Sequence, residues 1–364
     1  MKRLRTAIIG QGRSGRNIHG KFFLSEGNTY VDVVAVVEWD PERRERALRE
    51  YPGCRVYADY RELFQRDDID LVVNSTFSDQ HYSVTKDLLI HGFHVVVEKP
   101  MARSYYECSD LIRTAKENGV LLAVFQQSML APYFTNAKDA IRSGKLGEIL
   151  QIDIAFSGFS RRWDWQSTQC RLGGSLYNTG PHPVSFALDL LDFDPRTELV
   201  YSKLALAHSS GDADDYAKLI LTAPGKPVVD VEVSSVDAFG GPTLKVQGTR
   251  GTLIMNRDKS YTMKYVVPGE NPERPLIMKP IKDEQGLPIY HSEKLQFHEE
   301  TMENPHYPWD ESARRFYERI YNNLTAGVPL PVSAENVAQI IRIIEAAHAQ
   351  NPLPVWVKKE NEGV

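Results

Sequence analysis

The first third of the chain alternates short, almost wholly apolar runs with amphipathic stretches. Strands buried on both faces of a parallel sheet have such apolar runs, and amphipathic stretches are typical of the helices that connect them. Asp40-Pro41 opens one helical stretch and Asn118-Gly119 closes another, as expected of helix ends. The pattern predicts an α/β domain with a doubly wound parallel sheet, running to about residue 126. The predicted strands are 4–9, 31–38, 71–74, 94–97 and 121–125, and the predicted helices are 13–25, 41–51, 79–91 and 105–118.

The period of the pattern changes after a helix predicted at 131–143. Residues 151–159 alternate polar and apolar positions, as a half-exposed antiparallel strand does, and similar strands recur up to residue 256 between glycine and proline turns. We therefore predict an α+β second domain with a large, mostly antiparallel open sheet. Residues 268–308 are rich in proline and charge and are predicted as a long loop, followed by helices at 309–326 and 334–350. The predicted domains are 1–126 for dinucleotide binding and 127–364 for substrate binding and oligomerisation.

Composition excludes several classes of protein. A chain of 364 residues with 42% hydrophobic residues can form two cores, and a net charge of −5 offers no basic surface for nucleic acid. The longest apolar runs have the length of strands, and only three apolar residues separate the basic start from Gly10, so we expect neither a membrane span nor a signal peptide. Cys54, Cys108 and Cys170 lie far apart, which is typical of reduced thiols in a cytoplasmic protein.

The sequence Gly10-Gln11-Gly12-Arg13-Ser14-Gly15 follows the first strand and opens the first helix. The first glycine of such a motif permits a tight turn, the second lets the backbone approach a pyrophosphate, and the third lets helix and strand pack closely. The helix N-terminus adds free N–H groups and partial positive charge. The motif on its own is weak evidence. Because a predicted strand precedes it and a predicted helix follows it, the motif predicts a Rossmann nucleotide site here.

Glu38 ends the second strand about 20 residues beyond the glycines, where an acid hydrogen-bonds ribose hydroxyls. A carboxylate there repels the extra phosphate of NADP, so we expect NAD as the cofactor. The alternative is that Glu38 only caps a strand at the surface. Arg43 and Arg44 weaken the inference, since a nearby arginine can accept the 2′-phosphate; we expect both on the exposed face of their helix.

Glu98-Lys99-Pro100 stands at the end of the fifth strand. A lysine at the carboxyl edge of a parallel sheet lies in the crevice where ligands of α/β folds bind. The alternative is a solvated surface lysine, which fits poorly with the apolar strand before it and the proline after it.

With these motifs the chain resembles the glucose-fructose oxidoreductase/inositol dehydrogenase family. The resemblance rests on the glycine motif, on Glu38, on the Glu98-Lys99-Pro100 triplet and on residues 74–81 after the fourth strand. It continues in residues 144–147 and 246–251, so it covers almost the whole chain, and the segment 268–308 is matched least. The combination of the triplet with the Rossmann start is fairly specific.

The family has a further motif of two glycines followed by an aspartate four residues before a histidine. Here Gly173-Gly174 precede Asn178 and His182, so the histidine is present and asparagine replaces the aspartate. Helical spacing would put Asn178 and His182 on one face, although the neighbouring prolines favour a turn that leads into a helix from about Pro183. In relatives the aspartate can pair with the histidine, so the replacement puts the working pH in doubt.

The resemblance implies a mechanism and a set of site residues. Histidine titrates near neutrality, so His182 is the candidate general base, and the Lys99 ammonium would stabilise the developing alkoxide. Trp163 and Arg161 precede the glycine pair and could stack on and bind a sugar, or equally anchor the loop or contact another subunit. The predicted cofactor-binding residues are Gly10, Gln11, Gly12, Arg13, Ser14, Gly15, Glu38, Ser75, Thr76, Phe77, His81, Glu98 and Lys99, and the predicted substrate-binding residues are Lys99, Gln127, Arg161, Trp163, Asn178 and His182.

Three functions remain open. The first is an NAD-dependent dehydrogenase that moves a hydride between nicotinamide and a hydroxyl or keto group of a sugar, inositol or related polyol. The second is an enzyme that retains NAD and uses transient oxidation to cleave or isomerise a sugar derivative. The third is a non-catalytic nucleotide-binding regulator, which the presence of both Lys99 and His182 disfavours. We expect no metal, because no ligand cluster with metal spacing occurs, and a homodimer or homotetramer.

Overall fold

Six parallel strands form the first sheet, as the apolar runs predict. The computed structural model describes residues 2–303 and 307–358. The strand order is β3-β2-β1-β4-β5-β6, so the order reverses between β1 and β4, where ligands of doubly wound sheets bind. Only β3 was not predicted, since it has three residues and is partly exposed. The strands are β1 (Leu4–Ile9), β2 (Val31–Val37), β3 (Arg55–Tyr57), β4 (Leu71–Asn74), β5 (Val95–Val97) and β6 (Leu122–Val124).

Helices cover both faces of this sheet. The first differs from the single helix predicted at 13–25: a π-helical turn spans Gly15–Gly20, and α1 continues it over Lys21–Phe23. Asp40 caps the next helix by accepting the N–H groups of Glu42 and Arg43. The remaining helices of this part of the chain are α2 (Pro41–Glu50), α3 (His81–Ile90) and α4 (Tyr105–Glu117).

The second sheet has eight strands among the described residues, in the order β16-β13-β12-β11-β7-β10-β9-β8. Neighbouring strands are antiparallel except for β7 and β10, which run parallel. The predicted mostly antiparallel sheet is therefore confirmed. Its strands are β7 (Ile149–Ser157), β8 (Glu198–Ala205), β9 (Tyr216–Thr222), β10 (Val228–Ser234), β11 (Leu244–Gly248), β12 (Gly251–Met255), β13 (Tyr261–Tyr265) and β16 (His298–Met302).

The segment predicted as a loop at 268–308 contains regular structure. Its residues 298–302 form β16, an edge strand paired with β13, and a small hairpin joins β14 (Ile281–Lys282) to β15 (Pro288–Ile289). The strand β16 is mostly exposed, so its sequence lacks the apolar alternation that reveals a half-buried strand. Residues 304–306 of this prediction lie outside the described residues.

The helices of the second part of the chain pack against both sheets. The ring of Phe186 in α7 stacks on that of Phe134 in α5 at 3.8 Å, beneath one face of the large sheet. By contrast, Tyr317 and Ile320 of α8 are buried in the core of the first sheet. The helices are α5 (Pro132–Arg142), α6 (Ser175–Asn178), α7 (Pro181–Leu190), α8 (Glu311–Ala326) and α9 (Ala334–Gln350). None of the described helices is long and apolar enough to cross a membrane.

Candidate active site

The glycine motif forms a cradle at the carboxyl end of β1. Gly10 has φ +89°, and a Cβ there would lie 2.6 Å from the Ser75 carbonyl oxygen. A Cβ on Gly15 would lie 1.9 Å from the Gly10 carbonyl oxygen, which explains why only glycine lets the helix approach the strand so closely. A Cβ on Gly12 would meet no atom within 4 Å. Gly12 therefore faces open space at the helix N-terminus, where a pyrophosphate fits.

The residues after β4 close one side of this cradle. The Ser75 hydroxyl donates to the Ile9 carbonyl oxygen at 2.7 Å, and the Thr76 hydroxyl donates to Asn74. The ring of Phe77 lies edge-on to Trp165, 5.0 Å between centroids, so it contacts the loop before the glycine pair. Of these three predicted residues, Ser75 contacts the glycine loop directly.

The Glu38 carboxylate lies at the end of β2, beside the glycine loop. It accepts the Gln11 N–H at 2.7 Å and the Asp40 N–H at 3.2 Å, and only 3% of the residue is exposed. It is therefore not a surface strand cap. Arg43 and Arg44 are partly exposed on their helix, and both also contact the end of β2. Arg43 lies 3.6 Å from the Glu38 carboxylate, and Arg44 donates to the Glu38 carbonyl oxygen, because the negative strand end attracts both guanidinium groups.

Lys99 reaches from the end of β5 to the second part of the chain. Its Nζ donates to the Asn178 carbonyl oxygen at 2.6 Å, at the end of α6. Burial lowers the pKa of Lys99, the Glu98 carboxylate opposes that effect, and the positive charges of Arg13 and Arg162 add to it. Arg13 of the glycine loop is exposed, and it lies near enough for its charge to act on Lys99.

The Glu98 carboxylate is buried below Lys99. Its Oε2 accepts the Lys99 N–H at 3.1 Å, and its Oε1 lies 3.1 Å from His19 Nε2. Burial opposes ionisation of Glu98, but the hydrogen bond from His19 and the charge of Lys99 favour it, and the pKa is lowered to about 2. Glu98 therefore supplies a negative charge next to Lys99 and does not itself line the open cradle.

His182 lies in the first turn of α7, which begins at Pro181 and thus two residues before the predicted start. Proline is well tolerated there because the first N–H of a helix needs no helical partner. The ring Nδ1 lies 2.8 Å from the Ser128 hydroxyl. Burial and then the charge of Lys99 lower the pKa of His182 to about 3. The imidazole is therefore neutral at physiological pH.

The chain breaks between Asn178 and His182, as the prolines predict, and the two side chains are not paired. Asn178 is the last residue of α6, and Pro181 starts a separate helix, so the two side chains do not share one continuous helical face. The Asn178 side chain accepts a hydrogen bond from Gln166 at 3.1 Å, and its carbonyl oxygen receives Lys99. Asn178 thus contributes its backbone to the lysine rather than its side chain to the histidine.

His81 has a different place from the one expected for it. The ring is 2% exposed, with Nδ1 2.7 Å from the Pro100 carbonyl oxygen and Nε2 3.2 Å from the Thr76 carbonyl oxygen. Burial lowers its pKa. His81 therefore joins the segment after β4 to the turn that holds Lys99, and it does not line the nicotinamide side of the pocket.

The loop before the glycine pair contributes different residues from those predicted. Arg161 is exposed and Trp163 is 77% exposed, whereas Arg162 and Gln166 line a polar cavity of about 100 Å³. The predicted Gln127 does not line this cavity, and its Oε1 is buried without a hydrogen-bond partner among the described residues. The cavity is lined mainly by small polar side chains, among them Ser160, Thr179, Ser209, Asp214 and Ser235.

Sequence reasoning missed three residues of the site. Ser128 directly follows the predicted Gln127, and Arg162 lies between the predicted Arg161 and Trp163. His19 had no motif to support it, although it falls four residues after the last glycine of the cradle. Its spacing could have indicated a side chain that faces the sheet, but its partner Glu98 is 79 residues away.

Comparison with known proteins identifies the family of this chain. A family model described as an oxidoreductase family with an NAD-binding Rossmann fold matches residues 4–126, and the model of its C-terminal alpha/beta domain matches residues 138–353. The chain belongs to the Gfo/Idh/MocA oxidoreductase family. The family resemblance found from the motifs is thereby confirmed, as is the two-part fold.

Relatives within the family differ in the activity that their names state. The chain is 26% identical over 349 residues to scyllo-inositol 2-dehydrogenase (NADP(+)) IolW of Bacillus subtilis, covering 94% of this chain and 92% of the relative. It is 26% identical over 305 residues to 2,7-anhydro-N-acetylneuraminate hydratase of Mediterraneibacter gnavus, covering 81% and 78%. Among solved structures, an NAD-binding protein from Listeria innocua superposes with a TM-score of 0.76 at 21% identity, covering 96% of each chain. GenD2 from gentamicin A biosynthesis, in complex with NAD, superposes with a TM-score of 0.74 at 21% identity, covering 96% and 94%.

Proposed function

We propose that this oxidoreductase is an NAD-dependent dehydrogenase that acts on a hydroxyl or keto group of a sugar, inositol or related polyol. One observation carries the proposal: the Lys99 ammonium spans from the Rossmann sheet to the α6–α7 junction, and its charge acts on His182. The cation thus lies near enough for its charge to act on the neutral imidazole. The polar cavity, lined in part by Asn178, whose carbonyl oxygen receives Lys99, suits a ligand with several hydroxyl groups.

The residues of the chain divide the chemistry between them. The cradle of Gly10, Gly12 and Gly15 would hold the pyrophosphate of NAD, which when bound supplies the acceptor for the hydride. The Lys99 ammonium would hold the substrate oxygen and stabilise its negative charge as the hydroxyl proton leaves. The neutral His182 would accept that proton. Arg162 and Gln166, which line the polar cavity, would bind further hydroxyl groups.

A second candidate function has support from the relatives. Two of them are named as 2,7-anhydro-N-acetylneuraminate hydratases, and addition of water involves no net oxidation of the substrate. An enzyme of that kind would retain its NAD and restore it in each cycle. The same Lys99 and His182 would serve both reactions, so turnover of the cofactor must separate them.

The experiment is a screen of inositols, aldoses and anhydro-sugars with NAD and NADP, in which NADH absorbance and product formation are both followed. Dehydrogenation gives one NADH per product, while a closed redox cycle gives product without NADH. Lys99→Met should lower turnover by about two to three orders of magnitude and leave NAD binding intact. Lys203→Met, at an exposed position of β8, is the matched control. Normal turnover in Lys99→Met contradicts the proposed role of Lys99.

We further propose that two or four copies associate through the large sheet. One face of that sheet is covered by helices and the other carries polar and charged side chains, such as the ion pair of Lys218 with Asp230 at 2.7 Å. Such a charged face can pack against the same face of a second copy, and its charges oppose aggregation of the separate subunits. Light scattering at micromolar concentration tests this, and a monomer contradicts it. The predicted cytoplasmic location stays a prediction.

A further inference from the structure

A buried chain of three polar groups joins the cofactor helix to the catalytic turn. His19 and Tyr317 are fully buried, and Glu98 is 4% exposed. His19 Nδ1 lies 2.6 Å from the Tyr317 hydroxyl, and Nε2 lies 3.1 Å from Glu98 Oε1. If the neutral imidazole carries its proton on Nε2, it donates to the carboxylate and accepts from the phenol, and every group has a partner. The chain is therefore complete without solvent.

The position of His19 depends on an unusual turn. The residues Gly15–Gly20 form a π-helical turn directly after the glycine cradle, and such turns are frequent at functional sites. His19 is one of the three buried residues of this turn, and its ring packs 4.2 Å from the ring of Phe125 at the end of β6. Packing thus fixes the imidazole against Glu98.

The charge of Glu98 has a direct effect on Lys99. Its carboxylate accepts the Lys99 N–H, and its negative charge favours the ammonium form of Lys99 against the effect of burial. An isolated buried carboxylate would take up a proton, and the His19 hydrogen bond opposes that. The ionised state of Glu98 therefore depends on His19.

We propose that His19 is a positioning residue that keeps Glu98 ionised and aimed at the Lys99 turn, and thereby keeps Lys99 charged for its role at the substrate oxygen. The proposal rests on the function proposed above for Lys99. Because His19 belongs to the helix that begins at the cradle, it links the cofactor-binding helix to the charge of Lys99. Tyr317 of α8 anchors the imidazole from the other side.

Other charged groups also act on Lys99 and must be held constant. The charge of Lys99 lowers the pKa values of His81 and His182. The charges of Arg13 and Arg162 lower the pKa of Lys99. Both histidines have lowered pKa values because they are buried, so they stay neutral near and above neutral pH. The two arginines stay charged throughout. Replacement of His19 should leave these charges unchanged, so Glu98 is the expected source of any shift in the pKa of Lys99.

The test measures the pKa of Lys99 without any substrate. The full-length protein, with and without NAD, is acetylated with acetic anhydride across a pH series, and mass spectrometry follows the rate at Lys99. His19→Leu should lower the pKa of Lys99 by about one unit or more, since loss of a nearby opposite charge has effects of that size. His19→Gln restores a donor to Glu98 and should recover most of the shift. His91→Leu, at an exposed histidine at the end of α3, should leave the pKa unchanged.

Glu98→Gln decides whether His19 acts through Glu98. It should lower the pKa of Lys99 as His19→Leu does, and adding His19→Leu to it should produce no further shift. A pKa that stays unchanged in His19→Leu, or a further shift in the double variant, overturns the proposal. If His19→Leu does not fold, His19→Phe takes its place, since it keeps an aromatic ring and removes the hydrogen bond to Glu98, and an unchanged pKa of Lys99 there overturns the proposal too.

The outcome separates this proposal from the proposed function. If the pKa of Lys99 shifts as expected but the wild-type protein turns over no polyol or sugar, the proposed function fails and the role of His19 stands. If the wild-type protein is active and the pKa does not shift, only the role of His19 fails. In an active enzyme, the alkaline limb of kcat should move to lower pH together with the pKa of Lys99.

Discussion

His182 Nδ1 lies 2.8 Å from the hydroxyl of Ser128, so the partner of the proposed base comes from the segment that follows β6. If Ser128 accepts the Nδ1–H, the lone pair of the imidazole is on Nε2. The hydroxyl therefore sets which nitrogen can take the substrate proton. It supplies this orientation without the negative charge that an aspartate would bring.

Replacement of Ser128 should impair catalysis and leave cofactor binding intact. Ser128→Ala removes one hydrogen bond to the base, and we expect kcat to fall roughly tenfold with little change in the Kd of NAD. Ser128→Thr keeps the hydroxyl and should retain most of the activity. Steady-state kinetics and NAD titration check both variants. Equal loss in the two variants would mean that the segment is sensitive to volume and not to the hydroxyl.

The pH dependence of oxidation should lack an acid limb in the neutral range. Burial and the charge of Lys99 lower the pKa of His182 to about 3, so the base form persists as the pH falls until it approaches that value. We expect kcat for substrate oxidation to stay level from about pH 8 down to about pH 5. An acid limb centred near pH 6.5 that disappears in His182→Asn would show that His182 titrates as an ordinary histidine and contradict this environment.

The sequence predicted the site unevenly, for a physical reason. The glycine cradle, Glu38 and Lys99 are recognisable because strand, turn and helix near them in sequence fix their positions. The partners of His182 and Asn178 depend on how α6 and α7 break apart, and periodicity does not determine that. The pair of His19 and Glu98, like the strand β16, depends on tertiary contacts between segments far apart in sequence, which no local pattern contains.

The glycines of the cradle should separate folding from cofactor binding. Gly12→Ala places its Cβ in open space, so we expect an unchanged melting temperature and weaker NAD binding. Gly15→Ala places its Cβ 1.9 Å from a backbone oxygen and should lower both the melting temperature and the affinity for NAD. Gly241→Ala is the control: its Cβ also meets no atom within 4 Å, and because Gly241 lies outside the cradle, neither the melting temperature nor the affinity for NAD should change. Thermal melts and NAD titrations check the set, and unimpaired NAD binding by Gly12→Ala would place the pyrophosphate elsewhere.

Glu38 should make the protein prefer NAD to NADP. Its carboxylate, held by Gln11 and Asp40, would repel a 2′-phosphate, while Arg43 is occupied by the carboxylates around it. Glu38→Ser should narrow the preference, because it removes the repulsion and frees Arg43 to meet the phosphate. Fluorescence titration with both reduced cofactors measures the ratio. Comparable affinities in the wild-type protein would count against the carboxylate as the selector, and the NADP named for one relative makes this measurement necessary.

Asp214 and Asp215 should affect the pH dependence of stability in opposite directions. Asp214 is 2% exposed; its Oδ2 accepts the Leu176 N–H, and its Oδ1 has no hydrogen-bond partner among the described residues, with His348 3.8 Å away. Burial raises its pKa to about 7, with a smaller contribution from the charge of Asp215. For Asp215, burial is outweighed by three backbone N–H groups, from residues 207–209, and its pKa is lowered.

The signs follow from proton linkage. Between about pH 4 and pH 7 the folded state binds the Asp214 proton and the unfolded state has lost it. The contribution of Asp214 to the free energy of unfolding is thus greatest in acid and is lost as the pH rises to about 7. Asp214→Asn removes the ionisation and keeps an acceptor for Leu176, so its melting temperature should exceed that of the wild type by a margin that grows from pH 4.5 to pH 8. Asp215→Asn should melt below the wild type at pH 8, with a smaller difference in acid. A margin for Asp214→Asn that does not change with pH would show that Asp214 is ionised in the folded protein.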